Sequence, residues 1–401
     1  MLRLTRLTLT DFRNYAALTW RPAGKLVVIH GPNGSGKTNL LEAISLLTPG
    51  RGLRGARVGE LARQDGPGRW AAAGRFQTSD GEADDPFDIG TGTLGDGPAD
   101  RRVFRLNGAP PRNQSEIAAR VAAVWLTPQM DRLFLEGASG RRRFLDRLVW
   151  ALEPGHAQEV AAYETAMAGR NRLLAEGRDD PAWLSALEDS MARHGVAMTA
   201  ARAMLTARMN QASAGGVTRD FPAARIGLVC PVAERLAADP AVAVEDWLRA
   251  GLAARRERDA AEGRARFGPH RADMTLTDAA SGLEAAQAST GQQKALLIGV
   301  VLAHAALIAA ARGHAPLLLL DEPAVHLDPG RRQALFSALA TLPAQSFLTG
   351  TDAETFLPLR GIAEGLKSGG GTLVPDPGFP PIGQADRSGA TPVPGPQKAL
   401  Y

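Results

Sequence analysis

Cysteine is almost missing: Cys230 stands alone among 401 residues. One thiol can build neither an internal disulfide framework nor a zinc cluster, and it suits a reducing cytoplasm. It reads most simply as a small buried apolar residue. Aromatics are scarce too, at 5%, so the core must rest on leucine, valine and alanine. No stretch holds the ~18 successive apolar residues of a membrane span. The closest, residues 295–311, contains Gly299 and His304 and reads as a buried helix. The first fifteen residues alternate leucine with threonine and arginine and lack the apolar centre of a secretion signal. Neither sign of charge dominates, with 46 Lys and Arg against 42 Asp and Glu. A net charge of +4 suits an acidic partner such as nucleic acid without demanding one.

What is present is an ordinary globular composition, 44% hydrophobic and 22% charged, in a chain long enough for one large domain or two modest ones. Leu2, Leu4, Leu7 and Leu9 fall in near-alternation, as in a half-buried strand. Leu26, Val27, Val28 and Ile29 form the short apolar run of a fully buried strand, followed by a helix-like run over residues 39–47. Residues 50–113, rich in Gly, Arg and Asp, read as β-rich and loopy. From Gly140 the chain turns helical. Val160, Tyr163, Met167 and Leu174, then Leu184, Met191, Met198 and Leu205, predict a helical hairpin with an apolar seam, turning at residues 177–181. Residues 247–266 add an arginine-loaded helical segment. Strand, helix, strand, helix and strand are then expected at 274–276, 295–311, 317–320, 331–340 and 346–348. Residues 366–401 are Gly- and Pro-rich and are expected to form a disordered tail.

Two motifs carry chemistry by themselves. Gly31, Pro32, Asn33, Gly34, Ser35, Gly36, Lys37 and Thr38 fit the phosphate-loop pattern between a buried strand and a helix. Successive backbone N–H groups and the positive helix end cradle phosphates there. Lys37 is expected on the β- and γ-phosphates, and the Thr38 hydroxyl on Mg²⁺. The second motif is the four-leucine strand 317–320, which lifts Asp321 and Glu322 to its C-terminal end. Asp321 would hold the Mg²⁺ shell, and Glu322 would orient or deprotonate the attacking water.

With these two motifs stand Ser289, Gly291 and Gln292 before an apolar helix, and His326, Leu327 and Asp328 after the acidic pair. That order resembles the ABC ATPases. In that family the S-x-G-Q turn of one subunit closes on the γ-phosphate bound by the other, and a serine hydroxyl with glycine N–H groups at a helix start does form an anion site. A plain helix cap would use the same residues. Two departures stand out. Thr349 and Thr351 occur where many ABC proteins carry a γ-phosphate-sensing histidine, which points to slow hydrolysis. The glutamine-bearing loop is represented only by Gln129.

The 250-residue spacing between the two halves of the nucleotide motif resembles neither a compact transporter subunit nor an SMC protein with long coiled coils. It is similar to the RecF family. Asp11, Phe12, Arg13, Asn14 and Tyr15 resemble that family's N-terminus, as does Asn39 directly after Lys37 and Thr38. Residues 140–146, containing Arg141, Arg142, Arg143, Phe144 and Leu145, residues 267–273, and residues 291–294 resemble further family segments in the same order. Asp321, Glu322 and Pro323 are more transporter-like than the family's common Asp-Asp.

The resemblance implies an α/β ABC-type head from residues 1–135 and 270–365, with a helical insert at 136–269. It implies ATP and Mg²⁺ as cofactors, an ATP-dependent homodimer, and binding to single-stranded or gapped DNA. It also implies work with RecO and RecR in loading the RecA recombinase, in replication restart and in the SOS response. DNA contacts are sought in the basic clusters Arg141, Arg142, Arg143, Arg255 and Arg256, with Arg258, Arg264 and Arg266, although charge runs on helices are usually solvated faces. His270 reads as a structural hydrogen-bonding residue. The rival is a transport-energising ATPase docked on a membrane partner, against which the large arginine-rich insert argues. A third reading takes ATP purely as a dimerising ligand.

Overall fold

The computed structural model describes residues 1–78, 86–93, 101–177, 180–214 and 221–379. Alternating leucines make β1 (Leu2–Phe12), with the apolar side chains buried and most of their neighbours partly exposed. The register shifts between Leu4 and Arg6, so a bulge explains why the alternation slips to a spacing of three at Leu7. A turn at Asp11 and Arg13, both with positive φ, leads to β2 (Tyr15–Trp20). Next come the fully buried β3 (Leu26–His30) and α1 (Lys37–Ser45). Strands β4 (Ala71–Thr78), β5 (Phe87–Thr93) and β6 (Arg102–Leu106) complete a five-stranded antiparallel sheet with β1 and β2. This bears out the β-rich reading of residues 50–113. Helix α2 (Gln114–Arg120), capped by the Asn113 side chain, precedes the buried β7 (Ala123–Leu126).

The chain then runs through α3 (Ala138–Leu152), α4 (His156–Ala175) and α5 (Pro181–Ala214). Helices α4 and α5 are the expected hairpin, and Leu184, Met191, Met198 and Leu205 are all buried. The seam does not end in one core. Met191 and Met198 join the small core of α4, α6 and α7, whereas Leu205 joins the large core of the head. Beyond β8 (Ala224–Val229) lie α6 (Pro231–Leu236), α7 (Ala241–Ala253) and α8 (Arg256–Glu262). Cys230 is fully buried. His270 donates from Nε2 to the Ala265 carbonyl (3.0 Å) and pairs through Nδ1 with Tyr163 Oη (2.7 Å), as a structural residue should. Strand β9 (Asp273–Asp278) returns antiparallel to β8.

Helix α9 (Thr290–Arg312) is long and apolar enough to cross a membrane by composition, but 72% of its most apolar window is buried in the fold. It leads to β10 (Leu317–Leu320), α10 (Pro329–Thr341), β11 (Ser346–Gly350), β12 (Ala363–Gly369) and β13 (Thr372–Pro375). The second sheet has the order β13-β12-β3-β11-β10-β7, parallel except for β13.

The ordered chain therefore does not stop at residue 365. Residues 366–369 finish β12 beside β3, β13 adds an edge, and Phe379 is buried. Pairing to an existing sheet overrides a Gly-rich composition that is weak in strand propensity. The rest of the expected tail, residues 380–401, lies outside the described residues.

Candidate nucleotide site

Strands β3, β11, β10 and β7 lie side by side and parallel, so their C-terminal ends open on one edge. That edge is where an open α/β sheet binds its ligand. The phosphate loop leaves β3 there, Asp321 leaves β10, and Thr349 lies near the end of β11.

These residues meet. Thr38 Oγ1 donates to Asp321 Oδ1 at 3.0 Å, and Thr349 Oγ1 donates to the same oxygen at 2.7 Å. Thr349 Oγ1 in turn accepts from the Glu322 N–H at 3.0 Å. Two hydroxyls converging on one buried carboxylate oxygen form an oxygen set that suits a hard cation such as Mg²⁺. Lys37 donates from Nζ to the carbonyl oxygens of Gly31 (2.7 Å) and Pro32 (3.0 Å). Burial lowers its pKa, while the charges of Glu322, Asp321 and Asp352 push it back up. The Ser35 hydroxyl is buried with no hydrogen-bond partner, as expected of a group that waits for a phosphate. The residues present fit a nucleotide phosphate with its metal. Pro32, Asn33 and Gly34 are exposed at the loop's tip.

Support from the N-terminal turn was not read from the sequence beyond its family likeness. Asn14 packs so closely on Gly36 (φ 103°) that a Cβ there would collide with its side chain. Asn39 donates to Asn14 Oδ1 at 2.7 Å and accepts from Arg54 at 2.7 Å. Fully buried Glu42 holds Arg13 in a two-bond fork at 2.8 and 2.9 Å. The signal was the cluster of polar residues in a tight turn, Asp11 and Arg13 being in the left-handed region. The C-terminal strands also brace the loop. Ser368 Oγ donates to the Ser35 carbonyl at 2.9 Å, and Asp376 pairs with His30 at 2.7 Å.

The signature turn is an exposed capping box. Ser289 Oγ accepts from Gln292 N (3.3 Å), and Gln292 Oε1 accepts from Ser289 N (2.9 Å). Gly291 packs against the His326 carbonyl. Asp328 caps α10 by accepting from Arg331 N at 2.9 Å. Gln129 is exposed in the turn after β7.

Most of the arginines sought as DNA contacts have intramolecular partners. Arg141 grips Asp273 at 2.7 and 2.8 Å, Arg142 donates to the Ala272 carbonyl (2.7 Å), and Arg256 pairs with Glu188 (2.6 Å). Arg255 lies over the Phe267 ring and donates to the Gly251 carbonyl. Arg258 and Arg266 both bind Glu262. Arg143 is exposed, on the wall of a cavity of about 620 Å³ between head and insert that Arg51 and Arg54 also line.

The RecF/RecN/SMC N-terminal domain model matches residues 3–361. A protein of Mesorhizobium japonicum named DNA replication and repair protein RecF is 49% identical over 375 residues, covering 93% of this chain and 97% of its own length. The chain belongs to the RecF family. The RecF of Agrobacterium fabrum is 48% identical, covering 89% of this chain and 94% of its own. A solved structure of the recombination mediator protein RecF-ATPrS in the RecFOR pathway superposes with a TM-score of 0.80 at 22% identity, over 93% of this chain and 98% of that one. The fold of this chain is thus an α/β ABC-type head with a helical insert, as the resemblance implied.

Proposed function

We propose that this chain binds ATP with Mg²⁺, dimerises on it, and holds gapped or single-stranded DNA during recombinational repair and replication restart in the cytoplasm. The carrying observation is the meeting of Thr38, Asp321 and Thr349 around one carboxylate oxygen beside Lys37. The loop amides and Lys37 would hold the phosphates, while Thr38 and Asp321 would hold the metal, whose charge assists phosphoryl transfer. Glu322 would take a proton from water as its oxygen bonds the γ-phosphorus and the bond to the bridging oxygen breaks, leaving ADP and phosphate. Slow hydrolysis would follow from Thr349 and Thr351 standing where many ABC proteins carry a γ-phosphate-sensing histidine. Ser289, Gly291 and Asp328 would face the nucleotide of a second copy.

The names of the relatives support the repair role and the RecFOR setting. RecO and RecR are the partners it would work with, RecA an indirect one, and the SOS response a downstream consequence. DNA contact is phosphate-dominated and salt-sensitive, with exposed Arg143 the foremost candidate of the basic clusters. The test is binding to a gapped duplex and to single strands, with and without ATP, for wild type and Lys37→Arg. ATP-stimulated binding with parallel dimerisation, both lost in the variant, is the expected result. No DNA affinity at low salt in any nucleotide state would sink the repair reading.

A further inference from the structure

We propose that Lys294 is a positioning residue that couples the signature turn to Glu322 of the same chain; this rests on the hydrolytic reading above. Lys294 lies in the first turns of α9, five residues after Ser289, and is 1% exposed. Its ammonium donates to the Glu322 carbonyl oxygen at 3.0 Å and to Asp131 Oδ2 at 3.3 Å. Burial lowers its pKa, and the Asp131 charge opposes that. A buried cation is costly where an apolar side chain of similar size would fill the space. The bond it makes to Glu322 gives the cost a purpose.

Glu322 needs holding. Its φ of 50° is in the left-handed region, which a non-glycine residue keeps only where its surroundings fix it. Both peptide groups flanking its Cα are tied. The N–H donates to Thr349 Oγ1, and the carbonyl accepts from Lys294. One tie comes from β11 beside the phosphate loop. The other comes from the helix whose exposed start carries Ser289 and Gly291.

The same helix start touches this loop a second time. His326 also has a positive φ, 65°, and a Cβ on Gly291 would stand 2.8 Å from its carbonyl oxygen. The loop of residues 322–328 is therefore held against the start of α9 at two points. Asp131 belongs to the turn Pro128–Arg132, which also carries Gln129. A phosphate of a second copy docked on Ser289 and Gly291 would fix α9 and, through Lys294, the aim of the Glu322 carboxylate in the chain that offered the turn.

The test is ATP turnover, ATP affinity and ATP-driven dimerisation of the full chain as Lys294→Met, Lys294→Gln and Asp131→Asn. Lys294→Met should lower kcat about 10- to 100-fold, the size of effect a misplaced catalytic group gives, with KM and dimerisation held. Lys294→Gln keeps one donor for the carbonyl and should recover part of the loss. It also carries the test if the methionine variant does not fold. Asp131→Asn should cost stability and leave most of kcat, because the Glu322 tie survives. Unchanged kcat in Lys294→Met and Lys294→Gln overturns the coupling alone, as does a kcat loss that Asp131→Asn reproduces in full. Absence of turnover in wild type sinks the hydrolytic reading and the coupling with it.

Discussion

In the arm, buried arginines find carboxylates; in the head, the lysine of the phosphate loop finds only backbone carbonyls. Arg170, fully buried, binds Glu188 (2.9 Å), Asp259 (2.8 Å) and the Leu252 carbonyl (2.8 Å), and Arg256 completes the cluster on Glu188. Arg202 grips Asp146 with two bonds from α5 to α3. The Arg170 cluster ties helices that share a small apolar core, so charge does structural work where burial is limited, and the Arg202 pair fastens α5 to α3, whose apolar face joins the large core. The head has a much larger core and leaves its site polar groups under-used: the Ser35 hydroxyl is unpartnered, and Lys37 has no carboxylate within bonding distance among the described residues. At this site an unpartnered polar group marks a place kept for a ligand.

The sharpest way to break this comparison is Arg170→Met. Removing one partner of a buried ion cluster leaves Asp259 and Glu188 under-paired, at a cost of about 3–5 kcal/mol. Urea unfolding should show that loss, while ATP binding by the head stays unchanged. A silent variant would mean that the arm's ion pairs are ornaments on an apolar core. A loss of ATP binding at full folding would mean that arm and head are not separable in this way.

Gly291→Ala comes next and tests the head's side. The added Cβ would lie 2.8 Å from the His326 carbonyl, and overpacking of this kind costs about 1–3 kcal/mol. The cost should fall on the docking face. ATP-driven dimerisation weakens about 10-fold, near 1.4 kcal/mol, with ATP affinity of the single chain held. Equal losses in both would mean that the signature turn supports its own chain's nucleotide loop.

How much of this was legible in sequence differs between the same two regions. The head's site was readable because its constraints are local: a loop that must bare its amides, and strands with four consecutive apolar residues buried on both faces, as in β3 and β10. The arm's helices were readable from periodicity. Their charges were not, because Arg141 meets Asp273, 132 residues away, and Arg170 meets Asp259, 89 away. A basic run looks the same whether it faces solvent or a distant carboxylate. Lys294 was hidden for the same reason, its partners lying at residues 131 and 322. Strands β12 and β13 were missed because glycine-rich sequence has little intrinsic strand preference and takes its shape from the sheet edge it joins.

The smallest effect is the one that sorts the arginines. Arg143 and Arg141 are two residues apart on α3, yet one is exposed and the other is forked onto Asp273. If exposure decides, Arg143→Ala should lower DNA affinity a few-fold at moderate salt. It should also flatten the dependence of log K on log salt by about 0.7–0.9 for a lost phosphate contact. Arg141→Ala should leave that slope alone and cost stability, because Asp273 loses the partner that holds its pKa down. That cost appears above the carboxyl's unfolded pKa and vanishes as acid protonates Asp273 in both states. A slope changed equally by both variants would mean that the Asp273 fork opens when DNA arrives, and the arm's pairs would then be a reserve of phosphate ligands.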